Sequence, residues 1–484
     1  MNNNGKAKYR TGELPEYQGN PLIEALPSIL DDREVLKKLK IYQTCSLEEK
    51  KLPAHLRKKL LCRLNGFVEP FISYIDVFRA IEDAVLEGYT TKNPFSPTTQ
   101  HYLHYLNNED TPVSPATGSF ISRGTAVSII GASGAGKSYM IERILDTYPQ
   151  VIHHKEYNGK KLKFDQIVWL KINCPENTLL STFATIILDE LDRITGSDDA
   201  SLTYSSKMNI GKALVQVERR LRFSFVGIIV IDEFQNLNVG NKKLRQQFLN
   251  FVIKLVDRSG IPVVFCGNPE IIDIFRETLR NARRAESGGV FVIDALSAGE
   301  WRLFVDQLWK LQWTNIATEL TDELSDCLYE LSTGLPDFAV RIYKEAQGLV
   351  IGSGEELITI HVLKDAYLKA CVLSDNALSE RRNIINIDSK LQYPDAHVHD
   401  EWKEVKQPVL ENSNNKKKVK NIINDVCRIQ HPEFQKNIID LRNNKCEIPD
   451  GIKKDVIRCL DSNDDLLSEL MGKRVVLSDP LNLS

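Results

Sequence analysis

The sequence lacks long apolar runs, paired cysteines and a strong excess of either charge. Its nine cysteines are scattered, and none forms a C-x-x-C pair or a spacing typical of zinc sites. No apolar run approaches the ~18 residues of a membrane-spanning helix. The first residues, MNNNGKAKYR, contain no apolar segment of the kind found in secretory signals. We therefore expect free thiols, no membrane span and a cytoplasmic protein.

The net charge is also small, at −3 over 484 residues. A surface that binds nucleic acid must therefore be local, because the chain as a whole does not attract a polyanion. The composition, 42% hydrophobic and 26% charged, is that of an ordinary globular chain. This length predicts on the order of two to four domains.

A phosphate-binding loop is the clearest motif in the sequence. The apolar run that ends at Ile130 is followed by GASGAGKS at 131–138, which fits G-x-x-x-x-G-K-[ST] without a mismatch. Small residues allow backbone N–H groups to surround a phosphate. Lys137 is expected to reach the β- and γ-phosphates, and the Ser138 hydroxyl to bind Mg²⁺. The predicted nucleotide contacts here are Gly131, Ala132, Ser133, Gly134, Ala135, Gly136, Lys137, Ser138 and Tyr139.

A second motif follows an apolar run at 226–231, which predicts a buried parallel strand. Asp232 and Glu233 end this run, at the sheet edge where α/β proteins bind ligands. We expect Asp232 to orient Mg²⁺ and Glu233 to act as the base that polarises the attacking water. Together, the two motifs predict hydrolysis of ATP or GTP.

Two further polar stretches are candidates for the same site. Asn268 follows the run 261–266 and is predicted to sense the γ-phosphate, although an Asn-Pro turn is the simpler alternative. Residues 280–284 read RNARR at the end of a predicted helix. Arg283 or Arg284 is expected to reach the phosphates of a neighbouring subunit, an arrangement that accelerates hydrolysis strongly. An exposed basic patch is the alternative.

The pattern between about 110 and 297 predicts an α/β core. Strand-like runs at 125–130, 166–172, 226–231, 261–266 and 290–293 alternate with helical patterns, which is typical of a parallel sheet. Residues 298–375 have only helical periodicity, which predicts a helical lid. A five-stranded phosphate-binding sheet with such a lid is the AAA+ layout. Arg341 is then a candidate second sensor, unless it pairs with a lid acid such as Glu345.

The sequence patterns of the flanking regions each fit more than one structure or role. GNPLIEALP at 19–27 fits either a docking peptide or a capped short helix. The stretch from Ser46 to about Leu86 is helical in pattern and begins with a capping box to Glu49. Its basic residues, Arg57 among them, form either a solvated face or a contact with DNA or protein. Residues 376–425 are predicted to be a linker, and 432–472 regain some helical pattern. This end is either a flexible extension or, as the resemblance described below implies, a tail that docks the transposase.

These stretches together resemble the TnsC and TniB proteins, AAA+ regulators of Tns-type bacterial transposons, including CRISPR-associated versions. The resemblance extends over about 10–375. Besides the two nucleotide motifs, it is carried by GNPLIEALP at 19–27, TYPQVIHH at 147–154, QIVWLKINCP at 166–175, IDEFQNL at 231–237, LRNARRAESGG at 279–289, LWKLQWT at 308–314 and GLPDFAVRIYKEAQ at 334–347.

The resemblance implies an ATP- and Mg²⁺-bound homo-oligomer, a ring or helical filament, on double-stranded DNA without strong sequence preference. Such a protein links a target selector of the TnsD or TniQ type to the transposase subunits TnsA and TnsB, and ATP hydrolysis disassembles it. Two residues depart from the expected pattern: Asn268 stands where threonine is expected, and Asp337 lies near the usual sensor arginine. The candidate DNA contacts are Lys171, Arg193, Thr195, Lys207 and Lys212.

A nucleotide-gated signalling scaffold that assembles on a protein partner, without DNA, is the alternative function. It also predicts a phosphate-binding loop, but it predicts no DNA-dependent assembly. A processive helicase fits less well, since no second ATPase domain or helicase-type motif set is present.

Overall fold

Two β-sheets organise this computed structural model, which describes residues 5–41, 43–104, 124–177, 179–196 and 210–390. The first contains three strands in the order β1-β3-β4, and the second contains five parallel strands in the order β5-β6-β7-β2-β8. The strands are β1 (Gly5–Lys6), β2 (Ala126–Ile130), β3 (Val151–Tyr157), β4 (Lys160–Ile167), β5 (Trp169–Asn173), β6 (Ile228–Asp232), β7 (Val263–Gly267) and β8 (Val290–Val292).

The N-terminal part and the core also contain helices. They are α1 (Pro21–Glu24), α2 (Asp32–Leu39), α3 (Leu47–Lys50), α4 (Ala54–Leu60), α5 (Ile72–Thr90), α6 (Pro97–His104), α7 (Lys137–Leu145), α8 (Leu180–Thr195), α9 (Ile210–Phe223), α10 (Lys242–Ser259), α11 (Ile271–Arg276) and α12 (Leu279–Ala285).

The lid that follows the sheet contains only helices among its described residues. They are α13 (Ala298–Trp309), α14 (Asp322–Ser332), α15 (Pro336–Val350), α16 (Ile360–Ala370) and α17 (Asp375–Lys390). The predicted apolar face of α13 is confirmed, since Trp301, Phe304, Leu308 and Trp309 are all buried. Among the described helices, none combines the length and the apolar character that crossing a membrane requires.

The five-stranded sheet confirms the predicted α/β fold. Strands β2, β6 and β7 are buried at every position, which explains their almost wholly apolar sequences. The order of the strands places β2 beside β7, and β7 beside β6. Because all are parallel, the segments that follow Ile130, Asp232 and Gly267 leave the sheet at one edge.

The prediction of a single strand at 166–172 is wrong, because two strands that belong to different sheets meet there. Strand β4 ends at Ile167 and pairs antiparallel with β3, whereas β5 begins at Trp169 and pairs parallel with β6. The N–H of Val168 donates to Gln150 O at 2.9 Å, so the chain stays hydrogen-bonded while it passes between the sheets. Apolar residues on both sides of the junction explain why the sequence pattern predicts one run.

The segment 19–27 forms a capped short helix that packs within its own chain. Asn20 caps α1 by accepting from Leu22 N at 3.1 Å, and its side-chain amide donates to Tyr89 O at 2.8 Å. Gln166 of β4 donates to Leu22 O at 3.0 Å. Leu22 itself is fully buried. These contacts attach the N-terminal segment to both α5 and the three-stranded sheet.

The helical stretch after Ser46 begins as predicted, with a capping box between Ser46 and Glu49. The expectation that Arg57 belongs to a solvated or DNA-facing surface is wrong. Its side chain is 3% exposed and forms two bonds with Glu356, at 2.5 and 2.7 Å. Glu356 also accepts from the backbone N–H groups of Asn315 and Gly352. Arg57 thus joins α4 to the lid.

We expect Glu356→Gln to lower the free energy of unfolding by about 3–5 kcal/mol, because it leaves a buried guanidinium without its counter-charge. The hydrogen bonds from Arg57 hold the pKa of Glu356 at about 2, below its ordinary value. The stability that this shift contributes is therefore fully present above about pH 4.5 and is lost as the pH falls towards 2. Urea titration at a series of pH values measures both effects.

The neighbouring Glu355→Gln is the matched control, since Glu355 is exposed. Its free energy of unfolding should stay within about 0.5 kcal/mol of the wild-type value. Equal losses for both variants would contradict the assignment of the buried ion pair.

Candidate functional site

The phosphate-binding loop lies between β2 and α7, and its backbone requires glycine at three places. A Cβ on Gly131 would lie 1.7 Å from the carbonyl oxygen of Ile293, so no larger residue fits without moving the backbone. Gly134 and Gly136 have φ values of 86° and 90°, a region that other residues rarely occupy. Gly131 N donates to Gly267 O at 3.2 Å, which attaches the start of the loop to the end of β7.

Lys137 and Ser138 begin α7, so the loop leads directly into a helix N-terminus that favours anions. The ammonium of Lys137 donates to the carbonyl oxygens of Gly131 and Ala132, at 2.7 and 2.9 Å. Burial lowers the pKa of Lys137, and the carboxylates of Asp232 and Glu233 are among the groups that oppose this shift. Ser138 is half-buried, and Tyr139 is exposed beside it.

Asp232 is buried at the end of β6, next to the loop. Its carboxylate lies 3.4 Å from the ammonium of Lys171, which also bonds to Glu142 of α7 at 2.6 Å. Although burial lowers the pKa of Lys171, its contacts with Glu142 and Asp232 outweigh this and raise it. Mg²⁺ in nucleotide sites binds one or two carboxylates and retains waters and phosphates as ligands. The buried carboxylate of Asp232 fits that role, together with the Ser138 hydroxyl.

Glu233 adopts the left-handed conformation, with φ of 54°, directly after the strand. This conformation is uncommon for residues other than glycine and stores strain on the order of 1 kcal/mol. Its side chain is exposed, while the next residue, Phe234, is fully buried. The sharp turn therefore directs the carboxylate of Glu233 away from the core, to the edge of the sheet where the loop lies.

Gln235 connects Glu233 with Asn268. Its side-chain amide N–H donates to the carboxylate of Glu233, and its carbonyl accepts from Asn268 N at 3.1 Å. The Asn268 side chain accepts from Glu270 N at 3.1 Å, so it forms the predicted Asn-Pro turn in this structure. Its part as a γ-phosphate sensor stays a prediction. The sequence analysis assigns no role to Gln235, although this residue lies within the stretch IDEFQNL at 231–237.

The lid contacts the loop through the start of α15. The N–H of Asp337 donates to Gly134 O at 3.2 Å, and a Cβ on Gly134 would lie 2.9 Å from the Phe338 ring. Arg341 pairs with Asp337 at 2.8 Å and lies over the Phe338 ring. Glu345, the alternative partner considered for Arg341, pairs with Lys369 instead. Arg341 is therefore one helical turn from the residue that touches the loop.

The predicted arginines occupy a separate helix, α12, rather than the end of the helix before it. Thr278 caps α12, which explains the break after Arg276. Arg284 pairs with Asp257 of α10 at 2.5 Å and is thereby held within its own subunit. Arg283, by contrast, is exposed.

The candidate DNA contacts are dispersed in the structure. Lys171 lies in the nucleotide site, as described above. Arg193 pairs with Glu190 on the same helix, and the Thr195 hydroxyl donates to Leu191 O at 2.8 Å. Lys212 is exposed near the start of α9, whereas Lys207 lies outside the described residues. The DNA role of these residues stays a prediction.

A model of the family described as AAA domain matches residues 121–275, which include the loop, Asp232, Glu233 and Asn268. This core is an AAA+ ATPase domain. The five-stranded parallel sheet has the fold that the matched family predicts for this core. Because the match covers about a third of the 484 residues, it describes the core and leaves the flanking regions without a family.

Solved structures of low sequence identity are also similar. The ORC2 protein of Aeropyrum pernix in its ADP form has 14% identity and a TM-score of 0.34, over 51% of this chain and 63% of that one. A Walker-type ATPase of Pyrococcus abyssi has 13% identity and a TM-score of 0.36, over 54% of this chain and 71% of that one. Cdc6p of Pyrobaculum aerophilum has 12% identity and a TM-score of 0.35, over 51% of this chain and 62% of that one.

This chain thus spans less than two thirds of the ORC2 and Cdc6p chains. At these scores the likenesses say nothing about its substrate or partners. No curated protein sequence matches the chain.

Proposed function

We propose that this chain is an ATP-dependent regulator of transposition that assembles on duplex DNA. In this proposal it links a target selector of the TnsD or TniQ type to the transposase subunits TnsA and TnsB, and ATP hydrolysis disassembles it. The family resemblance of residues 10–375 supports the transposition role, and the site supports its dependence on nucleotide.

The observation that carries the proposal is that the residues predicted to bind nucleotide and to assist hydrolysis lie at one edge of the sheet. Lys137 begins α7, whereas Asp232 ends β6 and Glu233 follows it directly. Gln235 links Glu233 to Asn268. A loop with only a structural role would not need two adjacent carboxylates, one buried (Asp232) and one exposed (Glu233). This arrangement is what phosphoryl transfer requires, namely positioning and charge stabilisation.

The proposed roles follow from these positions. Lys137 and the backbone N–H groups of 131–138 bind the phosphates, and Asp232 with Ser138 holds Mg²⁺, which neutralises charge on the phosphates. Glu233 polarises the attacking water, and Asn268 positions the γ-phosphate. Arg283 completes the site of a neighbouring subunit, so hydrolysis needs an oligomer. Arg341 couples nucleotide binding to the lid.

The chain divides in this proposal into four parts with separate tasks. Residues 1–109 form a partly helical N-terminal extension, 110–297 the ATPase core, 298–375 the helical lid, and 376–484 a linker with a partner-docking tail. The structure describes the start of the last part as α17, where Arg381 pairs with Asp294 of the core at 2.7 Å. The remainder, 391–484, lies outside the described residues.

Binding of a labelled random-sequence duplex, followed by fluorescence anisotropy over a salt series, tests the proposal. ATP, a non-hydrolysable analogue, ADP and no nucleotide are compared. We expect tight, salt-sensitive binding only with ATP or the analogue, because assembly requires the γ-phosphate. Lys137→Ala should abolish that binding, since it removes the cation that reaches the β- and γ-phosphates.

Lys254→Ala is the matched control, because it removes an exposed lysine from another helix, α10. It should bind DNA as the wild type does. A wild-type protein that hydrolyses ATP but binds no duplex under any condition would contradict the DNA platform. It would instead favour a scaffold that assembles on a protein partner.

A further inference from the structure

The three-stranded sheet displays a face of lysines that the proposed nucleotide chemistry does not use. The register pairs His153 with Asp165, and Glu156 with Lys161. Side chains alternate between the two faces of a strand, so Lys161, Lys163 and Asp165 share one face of β4. The parallel pairing of Lys6 with His153 places Lys6 on that same face.

The opposite face of this sheet is packed against the protein and fixes the orientation of the lysines. Its buried residues are Ile152, His154, Tyr157 and Leu162. Tyr9 also points inward, because its hydroxyl bonds to His154 Nδ1 at 2.8 Å and its ring contacts Tyr157. Lys8, next to Tyr9, therefore points outward. Lys155 is exposed at the bulge of β3.

These positions define a lysine face, composed of Lys6, Lys8, Lys155, Lys161 and Lys163, all of them exposed. Within the three described strands, the acids on this side are Glu156 and Asp165. Asp165 is already engaged by His153 at 2.7 Å. The face is therefore clearly positive, although the net charge of the whole chain is −3.

We propose that the lysine face binds the phosphate backbone of duplex DNA. Lysine is depleted from protein–protein interfaces, which rely on aromatic and apolar anchors. The large apolar residues of this sheet are buried or half-buried, so the face offers no such anchor.

This inference rests on the proposed function, because it supplies the contacts that duplex binding needs. It differs from the sequence-based candidates, because those among them that the structure describes lie on other elements. The backbone of the face is held in the sheet before binding, so the cost of ordering the lysines is confined to their side chains. Backbone contacts of this kind carry no sequence information, which agrees with a platform of low sequence preference.

The proposal is tested by the binding of the labelled random-sequence duplex to the full chain in the presence of the ATP analogue. Binding is followed by fluorescence anisotropy over a salt series. The hairpin variant, Lys155→Gln/Lys161→Gln/Lys163→Gln, is compared with Lys254→Gln/Lys310→Gln/Lys364→Gln, three exposed lysines on other elements. Lys160→Gln is a control within the hairpin, since Lys160 is directed to Phe95 on the other side.

We expect the hairpin variant to bind at least about 10-fold more weakly. Its slope of log K against log salt should fall by about 0.9 for each phosphate that is no longer neutralised, or about 2.7 for three phosphates. Both controls should keep the wild-type slope. A hairpin variant with the wild-type affinity and slope overturns the proposal while the DNA platform stands. A wild-type chain that binds no duplex overturns both.

Discussion

We expect Glu233→Gln to lower the rate of ATP hydrolysis by about 100- to 10,000-fold, the usual contribution of a general base. Glutamine keeps the size and the turn of Glu233 but cannot accept a proton from the attacking water. Nucleotide binding should persist, because Lys137 and the loop are unchanged. Steady-state phosphate release, with ATP affinity measured separately by a fluorescent analogue, gives the two quantities.

The same variant should accumulate as persistent oligomers, since hydrolysis is proposed to disassemble them. Size-exclusion chromatography after ATP addition measures this. Glu286→Gln, an exposed acid near the end of α12, is the control and should hydrolyse ATP at the wild-type rate. Hydrolysis by Glu233→Gln at the wild-type rate would show that another group activates the water.

Arg283→Ala is expected to lower hydrolysis by about 10³- to 10⁵-fold, the range found for an arginine supplied to the phosphates of a neighbour. Arg283 is exposed on α12, whereas Arg284 is paired with Asp257 of its own subunit. Arg284→Ala should therefore have a much smaller effect on the rate and act mainly on stability. Phosphate release at saturating ATP compares the two.

Mixing experiments separate a contribution in trans from a local one. A 1:1 mixture of Arg283→Ala and Glu233→Gln subunits places an intact base beside an intact arginine at about a quarter of the interfaces in a head-to-tail assembly. Activity should recover to about that fraction of the wild-type rate, although each variant alone is almost inactive. No recovery, with mixed oligomers demonstrated, would assign Arg283 to its own subunit.

The core could be predicted from sequence because its signals are local. The loop, the Asp232–Glu233 pair and the apolar strands each occupy a few consecutive residues. The error at 166–172 has a physical cause: Ile167 and Trp169 belong to different sheets, and apolar residues on both sides of the junction hide the boundary. Asn158-Gly159 was a readable hairpin signal, since both residues have positive φ in the turn between β3 and β4.

The contacts around the site were less predictable because they join distant residues. Arg57 reads as one of several cations on a basic helix, and only the fold brings Glu356 to it. Lys171 reads as a surface lysine until the strand order places it beside Asp232. The sequence predicts a contact of Arg341 with Glu345 or with a phosphate, whereas in the fold it pairs with Asp337, one turn before it on the same helix.

The left-handed backbone of Glu233 also bears on protein engineering. Glycine adopts this conformation at no steric cost, so a search for thermostable variants would favour Glu233→Gly. Such a variant would relieve strain on the order of 1 kcal/mol, less the extra backbone entropy that glycine has in the unfolded chain, and would lose the carboxylate that is proposed to activate water. If Glu233 has the proposed role, selection for melting temperature and selection for turnover favour different amino acids at position 233.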